Sequence, residues 1–112
     1  MPNPLQFILS LLISYLLGSI PFGYLLGKVI KGIDIREHGS KNIGATNNIR
    51  VLGKPIGITT LLLDIGKGWL AIKLSQWVFG INLDWQLILI GLAAVCGHMF
   101  TIFLKFKGGK GV

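Results

Sequence analysis

Three apolar runs, separated by one long polar stretch and one short turn, set the order of the chain. The first, 5–27, holds 23 residues without a formal charge, enough for a helix to cross a hydrocarbon core of about 30 Å. Gly18, Pro21 and Gly23 interrupt its second half, as breakers do where neighbouring groups re-satisfy the freed backbone. Gly23 and Gly27 read as a small-xxx-small packing face. Residues 28–55 form a polar connector, and a second run, 56–79, carries Asp64, Lys67 and Lys73. "GINLDW", 80–85, is a turn. The third run, 86–104, has no formal charge and one imidazole, His98, before the polar tail 105–112. The pattern predicts an all-α, polytopic membrane domain over 1–112, with three spanning helices at about 5–27, 56–79 and 86–104.

Composition supports lipid as the solvent. The 112 residues are 52% hydrophobic, with a mean hydropathy of +0.70, which is more apolar than a small soluble domain. The net charge of +7 raises nucleic acid as a partner, but that needs a basic face on a soluble fold. Here Lys28, Lys31, Arg36, Lys41, Arg50 and Lys54 crowd the connector, and Lys105, Lys107 and Lys110 the tail. The residues before position 5 and the turn 80–85 hold no Lys or Arg. This asymmetry places connector and tail in the cytoplasm and the N-terminus outside. "MPNP" lacks the positive region of a secretory signal, so the first run is expected to stay as a helix. Cys96 is unpartnered in sequence and reads as a packing residue. The last residues, "GGKGV", read as the middle of a loop, so the chain is expected to be part of a longer helical bundle.

The two polar segments share one side of the membrane and can therefore meet. "GGKG" surrounds Lys110 with Gly108, Gly109 and Gly111, and glycines let backbone amides approach a phosphate while the lysine supplies charge. It is not a Walker A loop, because no Ser or Thr follows the lysine; a flexible, headgroup-facing basic loop is the plainer alternative. "HGSKNIGATNNIR" concentrates Ser40, Asn42, Thr46 and Asn47 between Gly39 and Gly44, and Arg50 can clamp a phosphate. Helix capping by Ser40 or Asn42 accounts for one or two of these residues, not for the density. Lys67, eleven positions beyond Ile56 or roughly 16 Å into the helix, must face protein or water. Asp64 lies three residues before it on the same face and can pair with it. The alternative is an interfacial Lys67 that snorkels. His98 is either a helix-packing hydrogen-bond partner or a base, and Trp69, Trp77 and Trp85 read as packing or interface anchors. No ligand spacing for a metal emerges, and no Ser-His-acid arrangement.

Taken in order, "GSIPFG", "GSKNIGATN" with Arg50, "LDIGKG", "GHMF" and "FLKFKGGKGV" resemble the bacterial acyl-phosphate:glycerol-3-phosphate acyltransferases, a lysophosphatidate-forming membrane family. The resemblance implies an inner-membrane enzyme that moves an acyl group from acyl phosphate to the 1-hydroxyl of glycerol 3-phosphate, without a cofactor. It implies catalytic roles for Ser40, Asn42, Asn47, Arg50 and Lys110. It implies substrate binding by Gly44, Thr46, Lys67, His98, Lys105, Gly108, Gly109 and Gly111. Three departures stand out against the family's pattern: Lys41 where many relatives have Gly, Asn48 in place of an apolar residue, and Thr101 in place of Pro. The family also continues with further helices and a third cytoplasmic motif. Acyl-chain preference and oligomeric state are left open.

An acyl phosphate is a mixed anhydride with a good leaving group, so holding two phosphates and aligning the hydroxyl does most of the work. Direct transfer is the expectation, because Ser40 has no evident base partner; an acyl-enzyme at Ser40 is the alternative. Rival readings are a donor of acyl-CoA or acyl carrier protein, a transport component with phosphate-binding loops, and a structural membrane subunit.

Overall fold

The computed structural model describes residues 3–41 and 43–102. All the regular structure among them is helical. The first helix, α1 (Pro4–Gly18), opens with a capping box: the Asn3 side chain accepts from the Gln6 amide at 2.9 Å, and the Gln6 side chain accepts from the Asn3 amide at 2.9 Å. Pro4 occupies the first turn, where its missing N–H costs nothing. The expected single helix over 5–27 is instead two. Pro21 offers no N–H and its ring cannot sit over the preceding turn. The backbone therefore leaves the helix at Ser19 and resumes as α2 (Phe22–Leu26), which runs on as a π turn over Gly27–Lys31. Gly32, at φ +68°, ends it.

The connector, expected as a loop over 28–55, is also folded. A 3-10 turn, Ile35–Glu37, is held by Asp34, whose carboxylate accepts from the Arg36 amide at 2.9 Å and pairs with its guanidinium at 2.8 Å. Arg36 in turn lies 4.7 Å over the Tyr24 ring. Helix α3 (Ala45–Leu52) follows, and Gly53, at φ +103°, turns the chain directly into α4 (Lys54–Phe79), which carries Pro55 in its first turn. Ile35, Ile43 and Leu52 form a buried cluster, with Tyr24, Ile33, Val51 and Ile56 packed around it. Sequence periodicity missed this cap because its apolar residues are scattered singly among polar ones and meet only in the fold. Gly23 and Gly27 face the cap: a Cβ on Gly23 would overlap the Ile43 carbonyl, and one on Gly27 would come within 3.3 Å of Leu52.

At the far end Gly80, at φ +67°, closes α4, with its amide on Gln76 at 3.1 Å and the Ile81 amide on Ser75 at 3.1 Å. Helix α5 (Asp84–Met99) starts and stops earlier than the apolar run 86–104 suggests. Its end has two causes. The Tyr15 hydroxyl donates to the Phe100 carbonyl and the Thr101 hydroxyl to the Ser19 carbonyl, which pulls the chain out of helical register onto the break after α1. Pro4–Lys31 and Lys54–Phe79 are long and apolar enough to cross a membrane, and Asp84–Met99 is a shorter apolar helix.

Helix α1 packs between α5 and α4. The interior is small and polar: Ser10, Ser14 and Gly18 on α1; Thr60, Ala71 and Ser75 on α4; Ala94 and Gly97 on α5. The large apolar side chains, including Leu12, Leu62, Ile88 and Leu92, point outward. That inversion suits lipid, where close backbone packing replaces hydrophobic burial as the source of association. A Cβ at Gly18 would overlap the Ala94 carbonyl, and one at Gly97 the Tyr15 carbonyl. Gly97→Val is expected to lower stability by at least about 2–3 kcal/mol through overpacking. Gly66→Ala on the open face of α4, where a Cβ meets nothing within 4 Å, should instead add up to about 1 kcal/mol of helix propensity. Thermal unfolding of the two variants in detergent measures both.

Candidate active site

At the break between α1 and α2 the Ile20 carbonyl leaves the helical ladder and accepts from the Phe22 amide at 3.0 Å, and α4 brings a cation to it as a second donor. Lys67 Nζ donates to this carbonyl at 3.0 Å, lies 3.1 Å from Asp64 Oδ1 and 3.1 Å from His98 Nδ1. The ammonium also stands 5.7 Å from the centre of the Phe22 ring. Lys67 is 7% exposed, although it sits in the middle of a spanning helix. The Asp64 contact is an ion pair without hydrogen-bond alignment, since Oδ1 has no hydrogen-bond partner. Asp64 and Lys67 thus share the helix face that their spacing implies.

The cluster lines a cleft of about 260 Å³. Thr46, in the first turn of α3, brings the signature segment to the wall of the same cleft as Asp64, Lys67 and His98. Leu61, Ile65 and Val95 supply apolar walls, and Gly68 and Gly91 leave the space between α4 and α5 unfilled. A cleft in which polar and apolar side chains alternate along α4 can take an amphiphile.

The other predicted residues divide by role. Asn47 is buried and holds the loop before α3: its Oδ1 accepts from the Ser40 amide at 3.0 Å, and its Nδ2 donates to the His38 carbonyl at 3.0 Å. It shapes the loop that presents Ser40, which is itself exposed. Gly44 is buried as the residue before α3, and Gly39, at φ +57°, leaves no room for a Cβ beside Asn47. Arg50 is exposed on α3 and is not part of the cleft wall. Asn42, Lys105, Gly108, Gly109, Lys110 and Gly111 lie outside the described residues.

Sequence reasoning left out Asn48 as a working part. Its Nδ2 donates to the Gly23 carbonyl at 3.2 Å and the Thr60 hydroxyl at 2.9 Å, so one amide ties α2, α3 and α4 together. Asn48 and Thr101, expected as departures from the family's pattern, are buried polar ties between elements. Lys41, the third departure, sits at φ +65°, in the left-handed region that glycine occupies without strain.

Buried lysine, broken helix and outward-facing apolar side chains define the class: an integral membrane protein with a polar cluster inside its helix bundle. The sequence profile of the glycerol-3-phosphate acyltransferase family matches residues 8–112, and the chain belongs to that family. It is 52% identical to a glycerol-3-phosphate acyltransferase of Synechocystis over 91% of this chain and 50% of that one. It is 55% identical to glycerol-3-phosphate acyltransferase 3 of Bacillus anthracis over 93% of this chain and 51% of that one. Crystal structures of PlsY, an integral membrane glycerol 3-phosphate acyltransferase, superpose on it. The glycerol 3-phosphate form does so with a TM-score of 0.82 at 46% identity, over 95% of this chain and 52% of that one. The lysophosphatidic acid form gives 0.79 at 45% identity, over 94% of this chain and 50% of that one. The chain thus spans about half the length of the relatives it matches.

Two predictions concern the loop that carries the signature. Lys41→Gly should raise stability by about 1 kcal/mol, the usual cost of a left-handed residue, read as an upward shift of the unfolding midpoint. The Arg36 side chain holds the Asp34 carboxyl below its ordinary range. A depressed carboxyl stabilises above the unfolded pKa and loses that contribution as pH falls through the folded one. Stability should therefore decline below about pH 4, the ordinary carboxyl range, and Asp34→Asn should flatten that decline in a pH series of thermal melts.

Proposed function

We propose that this chain supplies half of the site of an acyltransferase that makes 1-acyl-glycerol 3-phosphate from acyl phosphate and glycerol 3-phosphate, in phospholipid synthesis at a bacterial inner membrane. The cleft carries the reading: Thr46, Asp64, Lys67 and His98 line it together with the apolar Leu61, Ile65 and Val95. Relatives 52% and 55% identical to this chain are named glycerol-3-phosphate acyltransferases, and the superposed PlsY structures are of glycerol 3-phosphate and lysophosphatidic acid forms.

In the proposed step the 1-hydroxyl of glycerol 3-phosphate attacks the acyl carbonyl. An ester C–O bond forms, the C–O bond to phosphate breaks, and the hydroxyl proton leaves with the departing phosphate. Arg50 and Lys110 hold phosphate; Ser40 and Asn42 orient the reacting groups, with Asn47 fixing the loop around Ser40. Gly44, Thr46, Lys105, Gly108, Gly109 and Gly111 complete the substrate contacts, and Lys67 and His98 serve the cleft. The cationic connector faces the cytoplasm, where glycerol 3-phosphate is met, while the acyl tail stays at the lipid level.

The test is phosphate release by the protein in lipid vesicles supplied with acyl phosphate, with and without glycerol 3-phosphate. Release that requires the acceptor, and that falls on the order of a hundredfold in Arg50→Ala and Lys110→Ala, is the expected result. Activity with acyl-CoA but not acyl phosphate would replace the donor. Inertness with both would overturn the reading.

A further inference from the structure

The contacts of Lys67 dictate the protonation pattern of His98. An ammonium carries three N–H donors and no acceptor. Here it meets three acceptor positions: the Ile20 carbonyl at 3.0 Å, Asp64 Oδ1 at 3.1 Å and His98 Nδ1 at 3.1 Å. A group that only donates forces the nitrogen facing it to accept. A neutral imidazole has one accepting nitrogen and one N–H, so the proton of His98 belongs on Nε2. An imidazolium would set an N–H against an ammonium at this distance. The Asp64 carboxylate argues for the charged lysine, because a neutral amine would leave that carboxylate without its cation inside the helix bundle.

The remaining question is what Nε2–H does. His98 lines the cleft with Thr46 and Asp64, and its Nε2 has no hydrogen-bond partner among the described residues. Two of the three Lys67 donors are spent on the Ile20 carbonyl and His98, and the ammonium is held to Asp64 by the ion pair. Among the donors that line this cleft with Thr46, the imidazole N–H is the one whose position the Lys67 contact fixes.

We infer that Lys67 is a positioning residue that locks His98 as the Nε2–H tautomer, and that His98 acts in acyl transfer as a hydrogen-bond donor to a substrate oxygen rather than as a general base. The role rests on the proposed acyl transfer; the tautomer does not. A donor aimed at an oxygen that gains charge during the reaction stabilises the transition state without moving a proton. That suits an acyl phosphate, whose leaving group itself accepts the hydroxyl proton.

Two measurements test this separately. Nitrogen-15 NMR of histidine-labelled protein in nanodiscs, with His38→Gln to isolate one imidazole, reads the tautomer without any assay. A single Nε2–H form at pH 7 is expected, with Lys67→Met giving a mixture; an Nδ1–H form or an imidazolium overturns the inference. In the vesicle assay His98→Gln places an amide N–H near the Nε2 position and should stay within about tenfold of the parent, while His98→Asn and His98→Ala lose on the order of a hundredfold, chiefly in kcat. A folded His98→Gln as inactive as His98→Ala would show a base and overturn the donor role, as would a His98→Ala variant with parental activity. If the parent transfers no acyl group, the proposed function fails and the NMR result still decides the tautomer.

Discussion

A lysine ammonium inside a spanning helix is the constraint on which the rest of the structure turns. A charge at mid-membrane costs about 2.5–3.5 kcal/mol even on insertion scales, so Lys67 must be met by acceptors. The fold supplies them from three separate segments: the Ile20 carbonyl at the break before Pro21, Asp64 one turn back on α4, and His98 near the end of α5. The break in the first helix and the cation in the second therefore answer each other. A continuous helix would have turned the Ile20 carbonyl to the amide one turn on; at the break it accepts instead from the Phe22 amide at 3.0 Å and from Lys67 at 3.0 Å.

Bringing three helices close enough for those contacts requires small residues where they cross. Gly18 against Ala94, and Gly97 against the end of α1, set the α1–α5 distance. The Tyr15 and Thr101 hydroxyls then fasten the end of α5 to the break. The cap performs the matching task for the signature segment. Its apolar cluster, the Asn47 bonds and the Asn48 tie place α3 so that Thr46 reaches the cleft. Packing and chemistry meet at Lys67, Asp64 and His98, which join α4 to α5 and to the break and also line the cleft.

The apolar runs showed an all-helical membrane protein, and the block order pointed to its family, because both signals are local or ordinal. The Asp64–Lys67 pairing was also legible, since it follows from helical spacing. What did not show was anything requiring distant segments to meet. Lys67 and His98 are 31 positions apart and no periodicity links them. The cap was hidden because Ile35, Ile43 and Leu52 are isolated among polar neighbours. Asn48 read only as a departure from a pattern; its value lies in a carbonyl 25 positions earlier. Pro21 did signal a break, yet which side chain would meet the Ile20 carbonyl there was not written near it.

The dependence of the fold on the Lys67 cluster can be measured with a double-mutant cycle in detergent, using thermal stability of Lys67→Met, Asp64→Asn and the pair. Removing one member of a buried ion pair leaves an uncompensated polar group and costs about 3–5 kcal/mol, whereas removing both relieves much of that cost. The structure predicts strong coupling: the double variant should be clearly more stable than the sum of the two single losses implies. Additive losses, or a Lys67→Met variant as stable as the parent, would contradict a fold organised around this buried cation.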